Sequence, residues 1–374
     1  MITAAVVAVL TASYLILGKL GMSRLRKERA SLRKPGKLPM VSIIIPAYMS
    51  HGTISATLKS ANNIDYPRKE IIVVNDSHDS TPAIARSFGA RVIQNRQRVG
   101  KPAALNMATK EARGSLIFLL DADTVASGSC LRRMVPWFSA KGVAAVMPKY
   151  LLKCDSRVSR LASLENLFTF ALLRIHMFFG TIVGFRGCSV LIRKDVLEKH
   201  PWPDTLLEDN HLSATLVSRD YRVIWEPRAV TWTDEPSTYR EVMRQKRRWG
   251  EGAYLAFRCH RRFYLRSPQF MLFFYPYFAL GIASVAMSLA LLISPVFFPW
   301  TAPILVTEMT MLFAAMYAHT MIFLYIGGGN PLPFTTLRFM VAYFPVMSFA
   351  YFRGVLSGIR RKNKGGCELH FRHW

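Results

Sequence analysis

Two aspartates stand two positions apart at the end of a strongly apolar run, Leu119-Leu-Asp121-Ala-Asp123. Their carboxylates would repel each other without a compensating cation. Hard divalent metals such as Mg²⁺ take oxygen ligands of this kind and usually share them with substrate phosphates. A metal held there would neutralise charge on a departing diphosphate. The alternative interpretation is a pair of aspartates that caps a helix.

A second acidic pair, Glu208-Asp209, and a later cluster, Gln245-Lys-Arg-Arg248-Trp249, offer groups for proton transfer and binding. Asp209 is a candidate general base, because a positioned carboxylate can accept the proton of a reacting hydroxyl group. Arg248 and Trp249 offer a cation and an aromatic wall. Such residues are also frequent at membrane borders, so the later cluster is ambiguous on its own.

Polar residues also follow the apolar runs nearer the N-terminus. One run ends in Pro46-Ala47-Tyr48 and the next ends in Asp76. An acidic residue at the end of a strand can present its carboxylate to a base or ribose edge at the rim of a sheet. Lys101, directly after a glycine, would place a cation beside a diphosphate. A solvated lysine after a turn is the commoner explanation for any single case.

The elements that would position these residues follow an α/β pattern. From Pro39 to about residue 150, short apolar runs alternate with helix-like stretches, which predicts a mostly parallel sheet with helices on both faces. Ligands of such sheets gather at the carboxyl ends of the strands, where Pro46, Asp76 and Asp121 fall. The predicted strands are Val41–Ile45, Ile71–Val74, Arg91–Ile93, Leu116–Leu120 and Val143–Met147.

Taken together, the D-x-D, E-D and Q-x-x-R-W elements, in this order and spacing, closely resemble those of the membrane-integrated family 2 glycosyltransferases, which include cellulose, chitin and hyaluronan synthases. The resemblance runs from Val41 to about Ala256 and includes Trp225-Glu-Pro and Glu235-Pro. It implies a GT-A catalytic domain, a nucleotide-sugar donor and inverting transfer by a single displacement. A UDP-sugar is the expected donor, and Mg²⁺ or Mn²⁺ the expected cofactor.

The resemblance also implies roles for individual residues. Asp209 would serve as the base at the acceptor hydroxyl, and its neighbour Glu208 is a further candidate catalytic residue. Asp121 and Asp123 would serve the nucleotide and the metal, with Asp123 the stronger metal candidate. Lys101 would contact the diphosphate. The remaining predicted contacts are Pro46, Ala47, Tyr48 and Asp76 with the nucleotide, and Gln245, Arg248 and Trp249 with the diphosphate and the acceptor end of the site.

Two positions depart from the family pattern. Asn75 occupies the first acidic position of the usual double-aspartate strand end, and Met49 stands where many relatives carry asparagine followed by an acidic residue. Both changes fall at the nucleotide end, so the identity of the nucleotide stays open.

Charge and hydropathy predict a membrane protein. The chain of 374 residues is 51% apolar, yet its net charge is +26. Eight basic residues lie between Lys19 and Lys37 and eight more between Arg244 and Arg266, each group bordering an apolar run. This location fits the cytoplasmic borders of membrane segments and argues against nucleic-acid binding. The five cysteines form no C-x-x-C pair and are expected to be reduced thiols.

Membrane segments and domains follow from the same pattern. Ile2–Gly18, Phe274–Val296 and Ile304–Ile326 are predicted spans. Val158–Val183 is predicted to be an amphipathic helix on the membrane or against the catalytic domain, with a buried core helix as the alternative. Phe339–Phe352 has only 14 residues before Arg353, which favours an interfacial or re-entrant segment. The predicted regions are an N-terminal transmembrane helix at 1–20, a basic linker at 21–38, a cytoplasmic catalytic domain at 39–266, a C-terminal membrane region at 267–356 and a basic tail at 357–374.

The leading hypothesis is an integral membrane enzyme that extends a polysaccharide at the cytoplasmic face. A lipid acceptor that receives one sugar is the main alternative, because few predicted spans are available for a polymer channel unless a homo-oligomer forms. A basic scaffold with an inactive transferase fold is a third hypothesis, and the complete set of acidic motifs argues against it.

Overall fold

The computed structural model describes residues 2–33, 36–153, 156–271, 300, 302–330 and 332–361. One sheet organises the catalytic part of the chain. Its strands are β1 (Val41–Ala47), β2 (Lys69–Asn75), β3 (Arg91–Gln94), β4 (Leu116–Leu120), β5 (Val125–Ala126), β6 (Val143–Leu152), β7 (Ser189–Arg193) and β8 (Arg222–Thr233).

Helices lie between and after these strands. They are α1 (Ile2–Ala30), α2 (Ile54–Asn62), α3 (Thr81–Ser87), α4 (Lys101–Glu111), α5 (Cys130–Met134), α6 (Arg157–His176), α7 (Lys194–Lys199), α8 (Glu208–Val217), α9 (Tyr239–Cys259), α10 (Arg261–Arg266), α11 (Ala302–Ile326), α12 (Pro333–Arg338) and α13 (Phe344–Arg360). A π-helical segment, Phe339–Tyr343, joins α12 to α13.

The order of the strands is β3-β2-β1-β4-β7-β6-β8-β5. The first four neighbours are parallel, and so are β6 and β8. Strand β7 runs antiparallel to both β4 and β6, and β5 runs antiparallel to β8. All five predicted strands are therefore present. Strands β5, β7 and β8 were missed, and β7 joins the four parallel strands to β6.

The N-terminal helix is longer than predicted. Helix α1 continues to Ala30, through the first part of the basic stretch predicted to be a linker. Its last turns are fixed to the catalytic domain by two ion pairs. Arg29 donates two hydrogen bonds of 2.8 Å to Glu226, which is fully buried on β8. Arg222, at the start of the same strand, is paired with Glu28.

The predicted amphipathic segment Val158–Val183 forms α6, which ends at His176. A short 3-10 turn follows and closes on Gly180. One side of α6 packs on the catalytic domain, where Phe170 contacts Tyr150 at a ring-centroid distance of 5.5 Å. Another side, at Ala171 and Ile175, packs with α1 and α11. The helix thus lies between the sheet and the two long apolar helices.

Two of the described helical stretches, Met309–Ile326 and Pro333–Arg360, are long and apolar enough to cross a membrane by length and composition. The first lies within the predicted span Ile304–Ile326. The second corrects the length argument made for Phe339–Phe352, because the helical stretch around it has 28 residues. The predicted span Phe274–Val296 lies outside the described residues.

Candidate active site

A cleft of about 640 Å³ opens at the carboxyl ends of β1 and β4. It brings together every residue predicted to act in the site, although these residues are spread over two hundred positions of the sequence. They are Pro46, Ala47, Tyr48, Asp76, Lys101, Asp121, Asp123, Glu208, Asp209, Gln245, Arg248 and Trp249.

Asp76 lies at the end of the cleft that is predicted to bind the nucleotide, and it fixes the turn that precedes α4. Its Oδ2 accepts hydrogen bonds from the backbone N–H groups of Gly100, at 2.8 Å, and Val99, at 3.2 Å. Gly100 has φ +86 and ψ 158, a conformation that only glycine adopts readily. Lys101 follows as the first residue of α4, so this turn determines where its side chain enters the cleft.

The two departures from the family pattern lie beside this turn. Asn75 is fully buried, and its side-chain amide donates to Gln94 Oε1 at 3.0 Å. Met49 adopts φ +52, and its N–H donates to Ser77 Oγ at 3.0 Å. Tyr48 is half exposed at the cleft, with the guanidinium of Arg98 4.0 Å from its ring centroid.

Lys101 supplies the cation that the aspartate pair needs. Its Nζ lies 2.7 Å from Asp121 Oδ1 and 3.6 Å from Glu208 Oε1. It also donates to the carbonyl oxygen of Gly187 at 3.1 Å. Burial opposes its charge, but the carboxylates of Asp121 and Glu208 raise the pKa of Lys101 above its ordinary value. Lys101 is therefore a permanent cation within the site.

Asp121 experiences opposing influences. Burial raises the pKa of its carboxyl group, Lys101 lowers it, and the nearby Asp123 carboxylate raises it again. The net direction is upward, so Asp121 takes up a proton at a higher pH than an ordinary aspartate. A further cation at this position would favour its ionised form.

Asp123 was predicted to be the stronger metal candidate of the two aspartates. Its Oδ1 accepts from Thr124 Oγ1 at 3.1 Å and lies 3.5 Å from Thr233 Oγ1, and Oδ2 has no hydrogen-bond partner among the described residues. No group of three or more His, Cys, Asp or Glu side chains within the described ranges is arranged to hold a metal ion. An ion such as Mg²⁺ commonly uses one or two carboxylates and completes its shell with water and substrate phosphates. Asp123, with Asp121, fits that type of site.

Asp209 lies across the cleft, in the first turn of α8. Its Oδ2 accepts from the N–H of Gly187 at 2.7 Å, and its Oδ1 accepts from the N–H of Asn210 at 2.7 Å. The N-terminus of a helix favours negative charge through its unpaired N–H groups. Burial raises the pKa of its neighbour Glu208, Lys101 opposes this, and Asp209 adds to it. The two carboxylates thus differ: Asp209 is held by backbone donors, whereas Glu208 faces Lys101.

Helix α9 presents the Q-x-x-R-W residues. It begins at a capping box in which Thr238 accepts from the N–H of Glu241. Gln245, Arg248 and Trp249 are three and four positions apart, so they share one face of the helix. Gln245 Nε2 donates to Glu235 Oε2 at 3.1 Å, and its Oε1 is buried without a partner within the described part of the chain.

Arg186 is a cleft residue that the sequence reasoning missed. Its guanidinium lies 4.4 Å from the ring centroid of Trp249, and its Nε donates to Tyr150 Oη at 3.1 Å. Lys246 lies over the same tryptophan at 3.8 Å. Arg186 belongs to none of the sequence motifs that indicated the site, and only the structure brings it to the cleft.

Comparisons with known proteins identify glycosyltransferases as relatives of this chain. Residues 42–200 match the family described as Glycosyl transferase family 2. The probable glycosyltransferase YdaM of Bacillus subtilis is 31% identical over 233 residues, which cover 58% of this chain and 56% of that protein. A poly-beta-1,6-N-acetyl-D-glucosamine synthase of Staphylococcus epidermidis is 29% identical over 225 residues, covering 57% of this chain and 54% of that protein. The chain spans about half the length of these relatives.

A solved structure shows the same fold. It is the mannosyltransferase PcManGT from Pyrobaculum calidifontis in complex with GDP-Man and Mn²⁺. The TM-score is 0.58 at 21% identity, and the match covers 96% of this chain and 100% of the other. The sheet is thus a GT-A-like Rossmann sheet, as predicted from the resemblance.

Proposed function

We propose that this chain, whose residues 42–200 are a glycosyl transferase family 2 domain, transfers a sugar from a nucleotide-sugar to a growing polysaccharide. The reaction would take place at the cytoplasmic face of a membrane, with the chain embedded through its apolar helices. The observation that carries the proposal is the placement of Asp209 and Lys101 in one cleft, each held by specific partners, together with the D-x-D and Q-x-x-R-W residues.

Asp209, Lys101 and Arg248 have different roles in the proposed reaction. Asp209 accepts the proton of the acceptor hydroxyl as the new bond to the sugar forms, which contributes roughly 10²–10⁴-fold to the rate. The bond between the sugar and the diphosphate breaks in the same step. Lys101 and Arg248 stabilise the negative charge that gathers on the departing diphosphate. Arg248 is exposed at the cleft, where such a group can reach it.

No covalent intermediate on the protein is needed. The cysteine nearest the site is Cys188, whose thiol lines the cleft. Burial raises the pKa of the Cys188 thiol to about 12, so the thiol stays protonated and is a poor nucleophile. This supports a single displacement, in which the configuration of the sugar inverts.

Asp123 and Asp121 would hold a divalent metal, Mg²⁺ or Mn²⁺. When bound, the metal supplies positive charge that neutralises the diphosphate. The solved mannosyltransferase was crystallised as a complex with Mn²⁺, which supports this part of the proposal. That complex also contains GDP-Man. A UDP-sugar stays the proposed donor because it is the one that the family resemblance implies.

The relatives named as poly-beta-1,6-N-acetyl-D-glucosamine synthases support a polymer as product. A second candidate is the transfer of one sugar to a lipid. It is favoured by the small number of spans predicted from the sequence; within the described residues, two helical stretches are long and apolar enough to cross a membrane. These helices alone offer little material for a polymer channel, although a homo-oligomer would add to it.

The test is a donor screen on the purified full chain in nanodiscs. Release of nucleotide from UDP-N-acetylglucosamine, UDP-glucose and GDP-mannose would be followed with Mg²⁺, Mn²⁺ or a chelator, and the products would be sized. A long product from one donor supports the polysaccharide, and a single sugar on an added lipid supports the second candidate. Release of nucleotide that is unaffected by the chelator contradicts the metal site.

A further inference from the structure

One partly buried carboxylate, with 20% of its side chain exposed, connects three helical segments next to the cleft. Glu165 Oε1, on α6, accepts from the ammonium of Lys246 at 2.7 Å. Its Oε2 accepts from the hydroxyl of Tyr343 at 3.0 Å. Lys246 lies on α9, whereas Tyr343 lies in the π-helical segment of the C-terminal apolar stretch. Neither Glu165 nor Tyr343 lines the cleft itself.

Lys246 links Glu165 to the cleft. It lies within the Q-x-x-R-W sequence, directly after Gln245, and only 2% of its surface is exposed. Its ammonium points over the ring of Trp249, 3.8 Å from the centroid. Burial lowers the pKa of Lys246, and the Glu165 carboxylate opposes that shift. Glu165 therefore holds a cation against the aromatic residue that forms the cleft wall.

Tyr343 ties the same carboxylate to the C-terminal helices. Its side chain is fully buried, with its ring stacked on Phe339 at 5.6 Å between centroids. The helix that follows it lies directly on α9, where Arg361 pairs with Glu251 at 2.8 Å. A movement of the C-terminal stretch would therefore displace both α9 and the side chain of Glu165.

The pair between Glu165 and Lys246 is a costly way to obtain stability alone. Removing the ammonium of Lys246 from water costs roughly several kcal/mol, and apolar residues of similar size often serve a core equally well. A buried charged group is better explained when it fixes one arrangement of the neighbouring helices and side chains among several. Here the arrangement concerned is the position of Lys246 and Trp249 relative to α6 and the C-terminal helix.

We propose that Glu165 is a positioning residue, which sets the orientation of Trp249 through Lys246 and couples it to the C-terminal apolar helix through Tyr343. The effect on transfer rests on the proposed glycosyltransferase function, whereas the effect on Trp249 does not. In this arrangement the membrane segment adjusts the acceptor end of the cleft and leaves the nucleotide end unchanged.

The test compares Glu165→Gln and Tyr343→Phe with matched controls in the full chain in nanodiscs. Glu198→Gln removes an exposed carboxylate from α7, and Tyr317→Phe removes a hydroxyl group that donates to the carbonyl of Pro333. Acrylamide quenching of Trp249 would be isolated by subtracting the signal of each variant in a Trp249→Phe background, because the chain has seven tryptophans. The kcat and the donor KM would be measured on the same samples.

We expect Glu165→Gln to increase the quenching of Trp249 and to lower kcat about tenfold, with the donor KM within about twofold of wild type. Tyr343→Phe should change both in the same direction, with kcat about threefold lower. The controls should match wild type. If the wild type releases no nucleotide, the proposed function fails and the quenching comparison alone decides the coupling.

Unchanged quenching of Trp249 in Tyr343→Phe would overturn the coupling to the C-terminal helix, even if Glu165→Gln did not fold. An equal rise of donor KM and fall of kcat would also overturn it, because a general loss of structure affects both ends of the cleft. Increased quenching with an unchanged kcat would overturn the part of the proposal that concerns transfer.

Discussion

The two ends of the cleft are built in different ways. The nucleotide end uses the carboxyl ends of neighbouring parallel strands and one turn, in which Asp76 accepts from the N–H of Gly100. The acceptor end joins helices that are distant in sequence, such as α6 and α9, through the ion pair of Lys246 with Glu165 and through cations over Trp249. The first is therefore a local construction on the sheet, whereas the second depends on tertiary contacts that reach the apolar helices.

This difference predicts which substitutions alter donor binding and which alter turnover. Changes at the nucleotide end should alter donor binding, because Lys101 and Asp121 face the diphosphate and metal in the proposed function. Changes at the acceptor end should alter turnover, because Asp209 and Trp249 face the acceptor. Changes in the helix contacts behind α9 should also alter turnover, although they lie outside the cleft.

The largest effect is expected at the proposed base. Asp209→Asn keeps the size of the side chain but removes a proton acceptor, so kcat should fall by roughly 10²–10⁴-fold. Asp195→Asn, at an exposed aspartate of α7, is the control. Nucleotide release with the best donor is the measurement. A kcat within twofold of wild type would exclude Asp209 as the base.

A substitution that breaks the contact of α1 with β8 should lower the Tm more than one that breaks an exposed ion pair. Arg29→Gln leaves the buried Glu226 carboxylate without its bidentate partner, and breaking a buried pair costs about 3 kcal/mol or more. The Tm in nanodiscs should therefore fall by several degrees. Arg132→Gln breaks an exposed pair with Asp65 and should leave the Tm almost unchanged, because water and salt screen exposed pairs. Equal losses of Tm would contradict the proposed anchoring.

A close helix contact behind the acceptor end should affect turnover. A Cβ atom on Gly250 would lie 2.0 Å from the carbonyl oxygen of Tyr351, so Gly250→Ala must push α13 away from α9. A displacement of about 1 Å can cost up to about 10²-fold in rate. Gly52→Ala, where a Cβ meets no atom within 4 Å, is the control. An unaffected kcat with intact folding would show that this contact is not needed for catalysis.

The smallest effect is expected at Glu208. Its raised pKa means that the folded protein binds its proton at a higher pH than the unfolded chain, so its contribution to stability falls as the pH rises above the ordinary value of 4.5. Glu208→Gln removes that dependence. Its Tm should exceed that of wild type by about 2 °C near neutral pH, and the excess should shrink toward about pH 5. A Tm difference that grows on acidification would contradict the direction of the shift.

The sequence predicted the nucleotide end better than the acceptor end for a physical reason. Pro46, Asp76 and Asp121 each follow an apolar run, and the carboxyl ends of parallel strands meet at one edge of a sheet. The contact between Lys101 and Asp121 was harder to predict, because Lys101 reaches Asp121 only through the turn at Gly100. That turn depends on a backbone conformation that composition does not reveal.

The acceptor end required long-range information. Asp209 and Trp249 were found through the family motifs, but Arg186, Glu165 and Tyr343 carry no local pattern that indicates a shared site. The antiparallel strand β7, which places Arg186 beside the cleft, was also missed. The length of the helical stretch Pro333–Arg360 was underestimated because Arg338 and Pro345 interrupt its apolar pattern.

The most direct test of the separation between the two ends is the binding of a nucleoside diphosphate with Mn²⁺, measured by titration calorimetry on wild type, Asp209→Asn and Lys101→Met. We predict that Asp209→Asn binds within about twofold of wild type although its turnover is lost, whereas Lys101→Met binds at least about tenfold more weakly. Loss of binding in Asp209→Asn, or unchanged binding in Lys101→Met, would contradict the separation.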